Sequence, residues 1–264
     1  MSIARRLAVL EARAGASQLP SWCDAVALAT RAGLPPDPWQ ARLLTSRAKR
    51  ILINCSRQSG KSSTCAVLAV HTAIYEPGSL TLLLAPTWRQ AGELFKKCLA
   101  VYRAAGRPVA AASETALTLT LANGSRIVSL PGKEGTVRSY SGVSLLIVDE
   151  ASRVPADLYH TVRPMLAVSD GRLIAPSTPF GKRGWWSDAW HGGEGWERYD
   201  VPATECPRIS PAFLAEELRD NGEWWYRQEY GCEFLAAQSA AFRTEDIERA
   251  FEGETETWDL SLSA

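Results

Sequence analysis

Two short stretches combine residue types that could bind a phosphorylated nucleotide and hydrolyse it. In Gly60-Lys61-Ser62, the Gly allows the backbone to approach a phosphate, the Lys ammonium can reach the β- and γ-phosphates, and the Ser hydroxyl can ligate Mg²⁺. In Asp149-Glu150, the first acid could hold the Mg²⁺ and the second could act as general base towards the attacking water. Each pattern also has an ordinary structural explanation, a strand-to-helix turn and a strand end. Together, in this order, they predict nucleotide hydrolysis.

The predicted elements around these stretches are the ones that such a site needs. Residues 51–53 form a short apolar run typical of a buried parallel strand, and a helix predicted over about 61–74 would direct its positive N-terminal end at the phosphates. Residues 145–148 predict a second buried strand that delivers the two acids to the carboxyl edge of the sheet. The loop departs from the strict phosphate-loop pattern, since Cys55 stands where a Gly is usual, five positions before Gly60.

Strands alternate with helices along most of the chain, which predicts an α/β fold with a mainly parallel sheet. A group of Trp residues crowds the last third of the chain: Trp185, Trp186, Trp190, Trp196, Trp224 and Trp225. They could stack on nucleic-acid bases, but core packing is the favoured interpretation. The other predicted elements are helices over 3–14, 22–32, 38–47, 87–104, 155–167 and 210–235, strands over 80–85 and 172–177, and a β-hairpin of 115–121 and 125–130 around Asn123-Gly124.

Bulk properties constrain the class of protein without identifying it. The 264 residues suit one large domain, or one domain and a smaller one, and the formal net charge is zero. Residues 1–110 hold 15 Lys/Arg against 5 Asp/Glu and residues 111–264 hold 14 against 24, so either the halves neutralise each other or they face polar partners. The six cysteines form no C-x-x-C pair, which favours reduced structural thiols and no zinc site. No apolar run approaches the ~20 residues of a membrane span.

Six segments resemble, in chain order, the motifs of viral terminase large subunits, the ATPases that package DNA into capsids. The most distinctive is Ser56-Arg57-Gln58-Ser59-Gly60-Lys61-Ser62, because that family places an Arg inside the phosphate loop where most ATPases have Gly or another small residue. The other five are Pro38-Trp39-Gln40, Leu84-Ala85-Pro86-Thr87, Val148-Asp149-Glu150-Ala151, Ser177-Thr178-Pro179-Phe180-Gly181 and Gln228-Glu229-Tyr230 to Phe234.

The resemblance implies a P-loop NTPase fold with a small C-terminal lid, ATP and Mg²⁺ as ligands, and a role for each matched residue. Catalysis would involve Glu150, Lys61, Arg57 at the γ-phosphate and Arg138 as a finger for the neighbouring subunit, whereas Ser62 and Asp149 would hold the metal. The expected nucleotide-binding set is Gln40, Ser56, Arg57, Gln58, Ser59, Gly60, Lys61, Ser62, Ser63, Ser177 and Thr178, in which Gln40 would read adenine and Ser177 and Thr178 would couple hydrolysis to lid movement.

Simpler structural explanations remain open for several of these residues. Gln40 could be a surface residue of its helix, and Ser177-Thr178 could cap a turn. Arg138 could be a solvated loop residue or a DNA phosphate contact, and Arg57 could supply the finger's charge within one subunit.

The same resemblance implies a domain plan and partners. We expect an N-terminal helical segment over 1–36, an ATPase core over 37–199, a lid over 200–243, and an acidic tail over 244–264 that leads towards an absent RNase H-like nuclease, so nuclease activity is not expected. Expected partners are double-stranded DNA, a portal protein and a small terminase subunit, in a homo-oligomeric ring in the host cell cytoplasm. The alternatives are a helicase-like translocase, a slow nucleotide-dependent switch and an inactive scaffold.

Overall fold

A mainly parallel sheet organises the chain in this computed structural model, which describes residues 24–131 and 140–235. Within these residues the sheet has eight strands in the order β3-β4-β5-β2-β6-β7-β1-β8. The pairs from β5 through β2, β6, β7 and β1 to β8 are parallel, while β3, β4 and β5 are antiparallel. The strands are β1 Arg50–Cys55, β2 Leu80–Ala85, β3 Ala111–Glu114, β4 Thr118–Leu121, β5 Arg126–Pro131, β6 Leu145–Val148, β7 Arg172–Ser177 and β8 Glu197–Val201. The predicted α/β class is confirmed.

Strands β1 and β6 lie inside the sheet, and this position brings the two predicted halves of the site to one edge. β1 pairs with β7 on one side and β8 on the other, whereas β6 pairs with β2 and β7. All four residues of β6 are buried, as are residues 51–55 of β1. Because these strands run parallel, the loop after β1 and the acids after β6 leave the sheet at the same end.

Helices cover both faces of the sheet. They are α1 Ala25–Arg31, α2 Pro38–Thr45, α3 Lys61–Tyr75, α4 Trp88–Ala104, α5 Ala156–Val162, α6 Gly184–Gly192, α7 Pro211–Asn221 and α8 Glu223–Glu229, with 3-10 turns at Ala151–Arg153, Arg163–Leu166 and Ala203–Glu205. Several begin at capped positions; for example, the Thr87 hydroxyl accepts the Gln90 N–H at 3.3 Å at the start of α4.

The alternating side chains of β1 divide the core into two apolar clusters. Ile51 and Ile53 pack with α1 to α4, whereas Leu52 packs on the opposite face with α5 and α6. Trp185 and Trp186 are buried in the second cluster, and their indole N–H groups donate to the carbonyls of Val154 and Ala175, each at 3.0 Å. These two Trp residues are therefore core residues, as the sequence analysis favoured.

Several predicted elements differ from those observed. The helix expected over 210–235 is divided at Gly222 into α7 and α8. Gly222 has a φ of 81°, which is not helical, and it caps the end of α7 and the start of α8. The helix expected over 155–167 gives way to a 3-10 turn that contains Pro164. Strands β3 and β8 and helix α6 were not predicted, and β8 extends the sheet to Val201, one residue beyond the predicted start of the lid. The hairpin around Asn123-Gly124 is confirmed.

Other expectations concern the described residues only in part. The five cysteines within them are free and buried. None of the helices in residues 24–131 and 140–235 has the length and apolar content to cross a membrane. The helix expected over 3–14 and the acidic tail over 244–264 lie outside the described residues, and the bounds of the four expected regions remain predictions.

Candidate active site

The loop between β1 and α3 turns tightly against its neighbours. Gln58 and Gly60 have left-handed backbone, with φ values of 60° and 91°. A Cβ atom at Gly60 would lie 2.6 Å from the Nε2 atom of Gln40 and 3.1 Å from an Nη atom of Arg208. The left-handed backbone therefore favours glycine at position 60, and a Cβ atom there would also displace the ends of the Gln40 and Arg208 side chains. Helix α3 begins at the next residue, so its N-terminus faces the edge where β6 delivers the acids.

Lys61 and Glu150 form an ion pair at the centre of the site. The Lys61 ammonium lies 3.3 Å from a Glu150 carboxylate oxygen, and Lys61 is buried. Glu150 itself has left-handed backbone, with φ 50° and ψ 46°, which places its carboxylate beside this ammonium. Burial disfavours the charged Lys61, but the ionisable groups around it, Cys55, Glu150 and Asp149, which are negative when deprotonated, hold its pKa above the ordinary value. Because burial raises the pKa of Cys55 to about 11, the two acids supply this charge at neutral pH.

Ser62 and Asp149 provide oxygen ligands suited to Mg²⁺. The Ser62 hydroxyl donates to a carboxylate oxygen of the buried Asp149 at 3.4 Å, and the other oxygen accepts the Glu150 N–H at 3.1 Å. Burial, then the charge of Glu150, raises the pKa of Asp149 to about 6. Mg²⁺ is usually held by one or two carboxylates together with substrate phosphates and water, so a hydroxyl and one carboxylate fit that ion.

Arg57 connects the loop to the last helix. Its Nε donates to a Glu229 carboxylate oxygen at 2.5 Å, and its backbone N–H donates to the Glu229 carbonyl at 3.1 Å. The Glu229 side chain is 1% exposed, whereas that of Arg57 is 50% exposed. The Arg57 guanidinium also lies 5.5 Å from the centroid of the Trp225 ring. The loop arginine is therefore attached to α8, in the region predicted to form the lid.

These residues enclose an open cavity of about 770 Å³ at the edge of the sheet. Its lining includes three residues that the sequence analysis missed: Gln90, Lys97 and Arg153. Arg153 follows Glu150 by three positions, which could have drawn attention to it. Lys97 and Gln90 come from α4 and gave no local signal. The predicted site residues that line the cavity are Arg57, Gln58, Gly60, Lys61, Ser62, Ser63, Glu150 and Thr178.

Gln40 lies beside a second, smaller cavity of about 210 Å³ that shares Gly60 and Ser63 with the first. Its side chain is buried and both ends of the amide are bonded: Oε1 accepts the Asp37 N–H at 2.9 Å and Nε2 donates to the Ser59 carbonyl at 3.3 Å. Gln40 is therefore not a surface residue, and it holds the loop to the start of α2. The cavity has a largely apolar lining that includes Leu34, Pro35, Pro36, Leu44 and Val67.

Three residues of the expected nucleotide-binding set are buried and do not line either cavity: Ser56, Ser59 and Ser177. The Ser56 N–H donates to the Val201 carbonyl at 3.0 Å, which ties the loop to β8. The Ser177 hydroxyl donates to Ser152 Oγ at 2.8 Å and accepts the Ser152 N–H at 3.1 Å. These residues therefore lie behind the cavity lining, where Ser56 and Ser177 stabilise the neighbouring backbone. Arg138 lies outside the described residues, so its predicted role stays a prediction.

Comparisons with known proteins agree with this geometry. The family model "Terminase large subunit, T4likevirus-type, N-terminal" matches residues 52–249. Terminase large subunits of Thermus virus P23-45 and Thermus phage G20c are 28% and 26% identical to this chain, and each match covers 81% of this chain and 52% of the relative. The chain thus spans about half the length of the curated relatives it matches.

Solved structures show the same fold. The large terminase ATPase domain of Thermus phage P74-26 superposes with a TM-score of 0.70 at 25% identity, over 78% of this chain and 97% of that one. The large terminase of another thermophilic bacteriophage, in complex with ADP, gives a TM-score of 0.62 at 13% identity, over 76% of this chain and 54% of that one. Because the family model covers most of the chain and the phosphate loop faces the acidic strand end in one cavity, this chain belongs to the terminase large subunit family and carries its ATPase domain.

Proposed function

We propose that this chain hydrolyses ATP with Mg²⁺ and that, in the intact protein, the reaction drives double-stranded DNA into a procapsid. The observation that carries the proposal is the contact of the two halves of the site: Lys61 lies 3.3 Å from Glu150, and Ser62 lies 3.4 Å from Asp149. The thermophilic bacteriophage large terminase that was compared above, which shares the fold, has been solved with ADP and with ATP-γ-S.

Each of these side chains has a chemical task at the triphosphate. Lys61 exchanges its bond to Glu150 for the β- and γ-phosphate oxygens, and this exchange frees the Glu150 carboxylate to accept a proton from the attacking water. Ser62 and Asp149 would hold Mg²⁺, which when bound neutralises charge on the phosphate oxygens. Arg57, a half-exposed residue in the lining of the cavity, adds positive charge from the loop.

The adenine ring has a matching site next to the phosphates. The cavity beside Gly60 is apolar on most of its surface, as pockets for flat heterocyclic rings are, and Gln40 lines it. The Gln40 Nε2 has two N–H groups and donates one to the Ser59 carbonyl, so the second could meet an acceptor on the base. We retain adenine reading by Gln40 as part of the proposal.

The partners follow from the family and are proposals for this chain. We propose that copies assemble into a ring with a portal protein and a small terminase subunit at the procapsid, in the host cytoplasm. The DNA part of the proposal is tested by adding duplex DNA to the intact protein with its packaging partners: ATP hydrolysis and DNA encapsidation should depend on each other. Hydrolysis that proceeds normally while no DNA enters the procapsid would contradict it.

Two substitutions test the proposed chemistry directly. Lys61→Ala should remove both ATP binding and hydrolysis, because it deletes the buried cation that the phosphates would meet. Glu150→Gln should retain ATP binding but lower turnover by about 10²–10⁴-fold, because only the base is lost. The exposed Lys182→Ala is the matched control and should leave both unchanged. Turnover in Glu150→Gln equal to that of the unmodified chain would contradict the role of Glu150 as base.

A further inference from the structure

Four cationic side chains line the large cavity, and they differ in how their charge is used. Lys61 is paired with Glu150 and Arg57 with Glu229. The other two are Lys97 and Arg153, and neither makes an ion pair with a carboxylate anywhere in residues 24–131 and 140–235. A cavity that keeps unpaired positive charge on its walls is suited to an anionic ligand.

Arg153 differs from Lys97 because the fold holds it close to the proposed base. It is the last residue of the 3-10 turn that begins immediately after Glu150. The Ser152 hydroxyl donates to the Thr178 carbonyl at 2.8 Å, so this turn is fastened to the segment that follows β7. The Arg153 guanidinium carbon lies 4.1 Å from the centroid of the Phe180 ring in the same segment. An aromatic face holds a guanidinium without neutralising its charge.

We infer that Arg153 binds the terminal phosphate of ATP within its own subunit, held in place on the Phe180 ring. The inference rests on the proposed function, which puts the terminal phosphate beside Glu150. A planar guanidinium can meet two phosphate oxygens at once, and phosphoryl transfer requires positive charge at the equatorial oxygens. Lys61 and Ser62 meet the triphosphate from the loop side, so Arg153 completes the charge from the side of the acidic strand.

The chain offers a matched control in Arg183. Its guanidinium carbon lies 4.8 Å from the centroid of the same Phe180 ring, but Arg183 does not line the phosphate cavity. Arg153→Gln and Arg183→Gln therefore each remove one guanidinium from the same Phe180 ring. Only Arg153→Gln also removes a cation from the lining of the cavity. Both residues are exposed, so neither substitution should disturb the core.

The test measures equilibrium binding of ATP-γ-S and ADP, each with Mg²⁺, to the intact chain and its variants by calorimetry. Arg153→Gln should weaken the binding of ATP-γ-S by about 10- to 100-fold, the range expected for the loss of a hydrogen bond to a charged group. The affinity for ADP should change by less than about twofold. Arg183→Gln should leave both affinities unchanged. Phe180→Leu keeps the Arg153 guanidinium but removes the aromatic ring on which it lies. This substitution should weaken the binding of ATP-γ-S by about 2- to 5-fold.

The possible failures point to different conclusions. If Arg153→Gln changes neither affinity, or weakens ATP-γ-S and ADP equally, Arg153 does not bind the terminal phosphate and the inference is wrong while the proposed function stands. If Arg183→Gln has the same effect as Arg153→Gln, the effect comes from the overall electrostatic field of the protein and not from contact with the phosphate, and the inference is also wrong. If the unmodified chain binds neither nucleotide, the proposed function fails and the inference fails with it.

Discussion

A buried carboxylate at the proposed metal site reduces the stability of the chain as long as no cation is bound to it. The pKa of Asp149 is raised from 3.8 to about 6, first by burial and then by the charge of Glu150. Between these two values the folded chain binds more protons than the unfolded chain. Stability is therefore lost as the pH rises through this window, and the loss is complete above pH 6. The site keeps this unfavourable group because its chemistry needs an ionised oxygen ligand.

Asp149→Asn should therefore stabilise the nucleotide-free chain, and in a pH-dependent manner. At pH 8 the free energy of unfolding should rise by at most about 3 kcal/mol, and the gain should shrink towards zero near pH 4. Urea unfolding at pH 8, 6 and 4.5 measures this change in the free energy of unfolding. Asp188→Asn, at an exposed acid on α6, is the control, and its free energy of unfolding should stay within about 0.5 kcal/mol of that of the unmodified chain. A gain of the same size at all three pH values would contradict the titration argument.

At the residue scale, local spacing was enough to predict part of the site. Lys61 and Ser62 follow the glycine by one and two positions, and Asp149 and Glu150 end an apolar run, so residue type and position point to the chemistry. Lys97 and Arg153 reach the cavity only because α4 and the turn after β6 fold onto its walls. No local pattern encodes such tertiary contacts.

At the scale of elements, the pairing of Arg57 with Glu229 attaches the phosphate loop to α8. The Glu229 carboxylate is almost fully buried, and Arg57 is its cationic partner. Removal of a partner from a buried ion pair leaves an uncompensated charge. Because Arg57 is half exposed, water reduces the penalty, so Arg57→Ala should lower the free energy of unfolding by about 1–3 kcal/mol.

A double-mutant cycle separates the lost pair from other effects. Arg57→Ala with Glu229→Gln should recover part of the loss, since the second substitution removes the buried charge. The exposed Arg227–Glu233 pair next to it, with a distance of 2.6 Å, is the control, and Arg227→Ala should lower the free energy of unfolding much less than Arg57→Ala does, because water screens an exposed pair. Thermal or urea unfolding gives these values, and a double variant less stable than Arg57→Ala alone would be inconsistent with the proposed coupling.

Long elements with a clear pattern were predictable, and short or partly polar ones were not. Strands β1, β2, β6 and β7 are mainly apolar runs, and the alternation of strands with helices along most of the chain implied the parallel sheet. Strand β8, Glu197–Val201, carries charged residues at three of its five positions, and it is held by pairing with β1. Its stability as a strand comes from this partner, which the sequence pattern does not show.

At the scale of the whole molecule, β1 connects the nucleotide site with the C-terminal part of the described chain. The buried Asn54 amide, one position before the end of β1, donates to an Asp200 carboxylate oxygen at 2.9 Å and to the Cys232 carbonyl at 2.8 Å. Together with the bond from Ser56 N–H to Val201, these contacts join the start of the phosphate loop to β8 and to the chain after α8. Movement of the loop on nucleotide binding would therefore be transmitted to the predicted lid.

The last prediction concerns the assembly and the trans role predicted for Arg138. If Arg138 completes the site of a neighbouring subunit, Arg138→Ala and Glu150→Gln should each be inactive in the assembled ring. A mixture of the two should regain ATP hydrolysis, because some interfaces then join an intact Glu150 to an intact Arg138 from the next subunit.

A second mixture supplies the control for this experiment. Lys61 and Glu150 lie 3.3 Å apart within one chain, so Lys61→Ala mixed with Glu150→Gln leaves every site with one defect and should stay inactive. Steady-state ATP hydrolysis at protein concentrations that support co-assembly provides the measurement. An inactive Arg138→Ala mixture in demonstrably mixed rings, or normal hydrolysis by Arg138→Ala alone, would exclude a trans role. In that case the positive charge at the phosphates would come from cations of the same subunit, among them Arg57 and Arg153, which already line the cavity.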